Sequence, residues 1–166
     1  EKYETKEFIK DDPIQFPHLF ERDKTNIVVT GFIASIFAFG KREVFNLKLN
    51  KLLLIMRHNP YEFILNFEKN EKLIDGFIYR FYKDSDIKSL FYILSEMFKK
   101  GMKLEDLFYE NRNSDVTKII QGVYDYISGS KYKINSSGFS FMISNPIKGG
   151  ANKRMNMFLR WMTRGG

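Results

Sequence analysis

The chain has no cysteine among its 166 residues. Disulfides, thiolate zinc sites, iron–sulfur clusters and cysteine nucleophiles are therefore excluded within it. Histidine is nearly as scarce, with only His18 and His58. His18 sits beside Pro17, and His58 falls at a helix end where a cation suits the dipole, so both read as structural. No His/Asp/Glu spacing has a metal-site pattern, and no Walker loop, serine elbow or dinucleotide-binding glycine fingerprint occurs, so neither metal nor cofactor is expected. Long hydrophobic runs are missing too. The longest, Ile27 to Gly40, is interrupted by Thr30, Gly31 and Ser35 and is too short to span a bilayer. The opening Glu/Lys mixture lacks the apolar centre of a signal peptide, so no membrane association and a cytoplasmic location are expected.

Acid is absent from one long stretch. Between Ser130 and Gly166 stand Lys131, Lys133, Lys148, Lys153, Arg154, Arg160 and Arg164, with no Asp or Glu. The whole chain has 27 Lys and Arg against 20 Asp and Glu, so residues 1–129 hold 20 of each. The formal excess of +7 therefore lies in the last 37 residues. Such an unbalanced segment suits a polyanion, of which nucleic acid is the commonest.

What is present is apolar and helical in rhythm. Hydrophobic residues make up 43% of the chain and 17 are phenylalanine, enough to argue against disorder and for a real core. Rings at helical spacing are core before they are base-stacking surfaces. Residues 1–10 are helix-forming, and Pro13 to Phe20 reads as proline-punctuated extended chain. Asp23 or Thr25 caps a helix running to Gly40 that is apolar nearly all round and should be central. A second helix carries Val44, Phe45, Leu47, Leu49, Leu52, Leu53 and Met56 and ends near Pro60, which opens a short helix from Tyr61 to Phe67. Leu73 to Phe81 leans towards a helix broken at Gly76. Asp84-Ser85-Asp86 caps a helix from Ile87 to Lys100 that stops at Gly101. A short helix spans Leu104 to Tyr109, flanked by Asn111 and Asn113, and another runs from Val116 to Ile127. Residues 129–150 form a polar connection in which Phe139 to Ile143 is an extended piece. No repeat or alternating strand series occurs, and the expected class is a compact all-α domain of about eight helices spanning residues 1–166.

The last stretch carries the functional signal. After Asn145-Pro146 and Gly149-Gly150, a run without Pro or Gly reads as one helix from Ala151 to Arg164. At about 100° per residue, Met155, Phe158, Leu159 and Met162 fall on one side, with Lys153, Arg160 and Arg164 on the other. One reading is a surface helix with solvated Lys and Arg heads. The other is a phosphate-binding element, with loop amides at the positive end of the dipole and Lys153 in the first turn. A lysine crowded there by Arg154, the amides and the dipole should have its ammonium form disfavoured, as an amine nucleophile requires. Asp84, Asp86 and Asp115 are better explained as helix caps than as catalytic acids.

Asp12-Pro-Ile-Gln-Phe-Pro-His18, Gly31 to Arg42, Tyr79-Arg-Phe81 and above all Lys153-Arg-Met-Asn-Met-Phe-Leu-Arg-Trp-Met-Thr-Arg164 resemble a bacterial family catalogued as a domain of unknown function. That family in turn is similar to the helix-hairpin-helix base-excision DNA glycosylases of the endonuclease III kind. The resemblance implies that Gly149-Gly150-Ala151 stands at the hairpin turn gripping the phosphate backbone of duplex DNA. It places Lys153 where the glycosylases keep the lysine that attacks a flipped-out nucleotide, followed by a continuing helix from Asn156. Lys148, Gly149, Gly150, Arg154, Arg160 and Arg164 are then the expected phosphate contacts, with DNA the expected partner. The hairpin's usual Leu-Pro-Gly reads Ile147-Lys148-Gly149 here, Gly150-Ala151 stands where Gly-Ser is usual, and Phe39-Gly40 replaces a Tyr-Gly. The resemblance also implies that the fold continues past Gly166 into a segment with an essential aspartate, so that this chain alone would bind DNA weakly and lack catalysis. A non-catalytic nucleic-acid-binding scaffold and a helical module for an acidic protein partner are the alternatives.

Overall fold

A computed structural model of the chain describes residues 12–109, 113–148 and 152–163. The helix expected over residues 1–10 lies outside them, as do Asn111, Gly149, Gly150, Ala151 and Arg164. Every regular element among the described residues is a helix, and the one strand-like pairing is an isolated bridge between Tyr79 and Tyr82. The class is all-α. None of these helices is long and apolar enough to cross a membrane. The chain divides into two compact units, residues 1–61 with 153–166 and residues 62–152.

The first unit is built on α2 (Lys24–Phe37), which packs against α1 (Gln15–His18), α3 (Arg42–Ile55) and, at the far end of the sequence, α10 (Lys153–Thr163). Asp23 caps α2, its carboxylate accepting the Asn26 N–H at 3.0 Å. From Val29 to Phe37 every residue of α2 is buried, which explains why its sequence shows no polar face. The extended chain expected over Pro13 to Phe20 is instead α1. Pro17 falls in the first turn, where its missing N–H has no intrahelical partner to lose. In α3, Phe45, Leu49, Leu52 and Leu53 are buried, whereas Val44 and Leu47, which the sequence grouped with them, are exposed. The helix ends without glycine. Arg57 and His58 adopt φ of 54° and 52°, and the N–H groups of Arg57 and His58 bond the carbonyls of Leu54 and Leu53.

In the second unit α6 (Asp84–Lys99) is the axis, with Ile87, Leu90, Phe91, Leu94, Met97 and Phe98 buried. It stops at Gly101, φ 76°, where the Met102 N–H returns to the Met97 carbonyl. Its N-terminal cap differs in detail from expectation: helix geometry already holds at Asp84, and Asp86 in the first turn accepts the Lys83 N–H at 2.8 Å. The helix expected from Tyr61 to Phe67 is two pieces, α4 (Pro60–Leu65) and α5 (Phe67–Asn70), followed by a 3-10 turn over Glu71–Ile74. The broken helix expected over Leu73 to Phe81 is absent. Gly76 takes φ 70°, and the chain beyond it turns back on itself at Tyr79–Tyr82. After α7 (Asp106–Tyr109) comes α8 (Val116–Ser128), capped by Asp115 through the Lys118 N–H at 3.0 Å. Phe139 to Ile143 is not extended but mostly α9 (Ser137–Met142), because the Ser136 hydroxyl caps it through the Phe139 N–H at 2.9 Å.

Candidate nucleic-acid interface

α10 is fixed by one side. Met155 and Phe158 are buried, and the Phe158 ring meets Phe32 of α2 edge to face, centroids 5.5 Å apart and planes at 84°. Gly31 lets the helices come close: a Cβ there would stand 2.8 Å from Met162 Cε and 3.6 Å from the Phe158 ring. A lone glycine inside an apolar helix was the sequence's signal for such an approach.

The other side of α10 is cationic. Lys153 and Arg160 are exposed, and neither makes an ion pair among the described residues. They lie two turns apart, about 10 Å along the axis, with half-buried Asn156 and Met157 between them. The first turn of this helix has no acidic residue, yet its first two residues are Lys153 and Arg154. That arrangement opposes the helix dipole, whose positive end favours anions and disfavours cations by about 0.3–1 kcal/mol each.

The remaining predicted contacts divide. Arg154 is half-buried, its guanidinium 5.7 Å from the Phe39 ring centre, a cation–π contact that sequence reading missed. Phe39 appeared there only as a departure from an expected tyrosine. Lys148 is exposed on a turn begun by Asn145, whose side chain accepts the Ile147 N–H at 2.9 Å. Gly149, Gly150 and Arg164 lie outside the described residues. The helix begins two residues later than expected, at Lys153, because Asn152 adopts φ 42°. The Asn152 side chain accepts the Ser144 hydroxyl at 2.9 Å. Of the other basic residues in the acid-free stretch, Lys131 faces Glu96 at 3.7 Å. Asp86 and Asp115 accept backbone N–H groups at helix starts and Asp84 accepts that of Gly76 in the preceding loop, which absorbs all three into the fold.

Among the described residues no group of three or more His, Asp or Glu is placed to hold a metal ion. Among curated proteins and among solved structures, none matches the chain. A family model described as "Protein of unknown function (DUF2400)" matches residues 12–166, nearly the whole chain, and the protein belongs to that family.

Proposed function

We propose that the protein binds DNA through its phosphate backbone, with Lys153 and Arg160 on the exposed side of α10 as contacts. One observation carries this reading: a helix anchored by Met155 and Phe158 opens with Lys153 and Arg154 and has no acid in its first turn. A merely solvated helix is better served by Asp or Glu there. A phosphate beside the first turn would meet the positive end of the dipole and the exposed Lys153 together. The concentration of the +7 excess in the last 37 residues supports a polyanionic partner.

The resemblance to helix-hairpin-helix glycosylases extends the proposal. Lys148, Gly149, Gly150, Arg154 and Arg164 would add backbone contacts, and Lys153 would be an amine nucleophile. At an abasic site its Nζ adds to the C1′ aldehyde, water leaves, and a Schiff base joins lysine to sugar. Borohydride trapping on an abasic oligonucleotide tests this. A covalent adduct lost in Lys153→Ala supports the chemistry, and DNA binding without an adduct leaves a non-catalytic scaffold. The binding itself is tested by its salt dependence. Removing one phosphate contact, as in Arg160→Ala, should reduce the slope of log affinity against log salt by about one. An unchanged slope would remove Arg160 from the interface.

A further inference from the structure

The second unit displays an aromatic and cationic knob. Tyr79 and Tyr82 exchange backbone hydrogen bonds of 3.0 and 2.8 Å, closing a tight turn, and both side chains are buried. At the tip stand Arg80 and Phe81, both exposed, Phe81 by 55%. The Arg80 guanidinium lies 5.7 Å from the Phe81 ring centre. Phe81 meets Phe141 of α9 edge to face at 5.2 Å, and Phe141, itself 37% exposed, is backed by the buried Tyr82. The platform is firmly seated. Gly138 lies so close beneath it that an added Cβ would stand 2.5 Å from the Phe81 carbonyl oxygen. The Ser136 hydroxyl also bonds the buried Asp86 carboxylate at the foot of α6. Lys83, exposed and without an ion pair among the described residues, follows the turn.

Folding alone does not call for this composition. Arg80 holds φ 51° at a turn position that Gly, Asn or Asp fills more easily, and two phenylalanine rings reach water beside it. A half-exposed ring with a guanidinium over it and a second cation following the turn recognises something flat, π-rich and anionic. A nucleotide has both parts, the base for the ring and the phosphate for the cations. In a duplex each base face is covered by its neighbours, so the base must be unpaired. We infer that Arg80, Phe81 and Phe141 form a stacking platform for an unpaired nucleobase, with Lys83 beside its phosphate. This rests on the reading of the protein as nucleic-acid-binding and specifies single-stranded character in its ligand.

The test uses the full chain, a single-stranded oligonucleotide containing 2-aminopurine, and a fully paired duplex of equal length. Stacking quenches the 2-aminopurine on binding. Phe81→Leu should weaken single-strand binding about tenfold and reduce the quenching, while duplex affinity changes by less than about twofold. Phe141→Leu should act in the same direction. Arg80→Gly, which relaxes the turn and keeps both rings, should weaken single-strand binding several-fold. The platform is overturned if Phe81→Leu and Phe141→Leu leave single-strand binding and quenching unchanged, or weaken strand and duplex equally; in the former case intact duplex binding leaves the α10 reading standing. Wild-type protein that binds neither nucleic acid overturns both. Binding of a Glu/Trp peptide but not the strand, with the same dependence on Phe81, would give the knob to an acidic protein partner instead.

Discussion

The Asn26 side chain makes three hydrogen bonds from a buried position at the start of α2. Its amide nitrogen donates to Asp23 at 2.8 Å and to Asn59 at 3.1 Å, and its amide oxygen accepts the Tyr61 N–H at 2.9 Å. Asn26→Ala strands the Tyr61 N–H and leaves a gap, so urea denaturation should show a loss of about 2–3 kcal/mol. A loss under about 0.5 kcal/mol would mean water replaces the side chain. The Asp23 cap was legible in sequence because its partner is three residues away. The bonds from Asn26 to Asn59 and Tyr61 were not, since no local pattern reports a contact 33 or 35 residues distant. Arg80 offers a converse case. Its φ of 51° is strained for any residue with a Cβ, so Arg80→Gly should raise stability by up to about 1 kcal/mol in the same assay. A destabilised variant would show that the Arg80 side chain holds the turn together.

Helix α10 separates stability from charge. Phe158 is buried against Phe32, so Phe158→Ala should cost about 3–4 kcal/mol. Lys153→Ala and Arg160→Ala, both on the exposed side, should stay within about 0.5 kcal/mol of wild type. Thermal melts of the three proteins check the contrast, and a large loss from either charge variant would reveal a structural role. Gly31 adds a graded test. An alanine there displaces only the flexible Met162 methyl, whereas Gly31→Leu must displace the Phe158 ring as well and should cost about 1–3 kcal/mol. The long helices α2, α3, α6 and α8 were legible from periodicity and caps. The short α1 and α9 were not: α1 follows Pro13 and holds Pro17 in its own first turn, and α9 depends on one serine cap and on Gly138 fitting beside Asp86. At the candidate site, the outward Lys153 and Arg160 and the buried Met155 and Phe158 followed from helical spacing, but the Phe39 contact that occupies Arg154 did not.

Across the whole molecule, pH and salt act on different groups. The Tyr92 phenol donates to Glu71 at 2.6 Å, and that bond, with burial and nearby negative charge, pushes its pKa up to about 12 from an ordinary 10.0. Lys88 is also raised, chiefly by its bond to Asp75. Both contributions are complete below the ordinary values and fade as pH rises through the folded ones. Asp84 is lowered, mainly by the Gly76 N–H, so its contribution is present above its ordinary 3.8 and fades as pH falls through the folded value. Stability should therefore decline between pH 10.0 and about 12, and Tyr92→Phe should make that decline shallower. Denaturation midpoints across this range decide it, and identical curves would remove Tyr92 from the alkaline transition.

The most direct test of the central claim is fluorescence anisotropy of a labelled DNA duplex titrated at low and physiological salt with wild type, Lys153→Ala/Arg160→Ala and Lys51→Ala/Lys69→Ala. The last pair removes the same charge from exposed positions outside α10. Binding that weakens with salt, falls about tenfold or more in the α10 double variant and changes far less in the control is the predicted result. Equal losses in both double variants, or no binding by the wild type at low salt, would contradict the assignment of α10 as the DNA-contacting element.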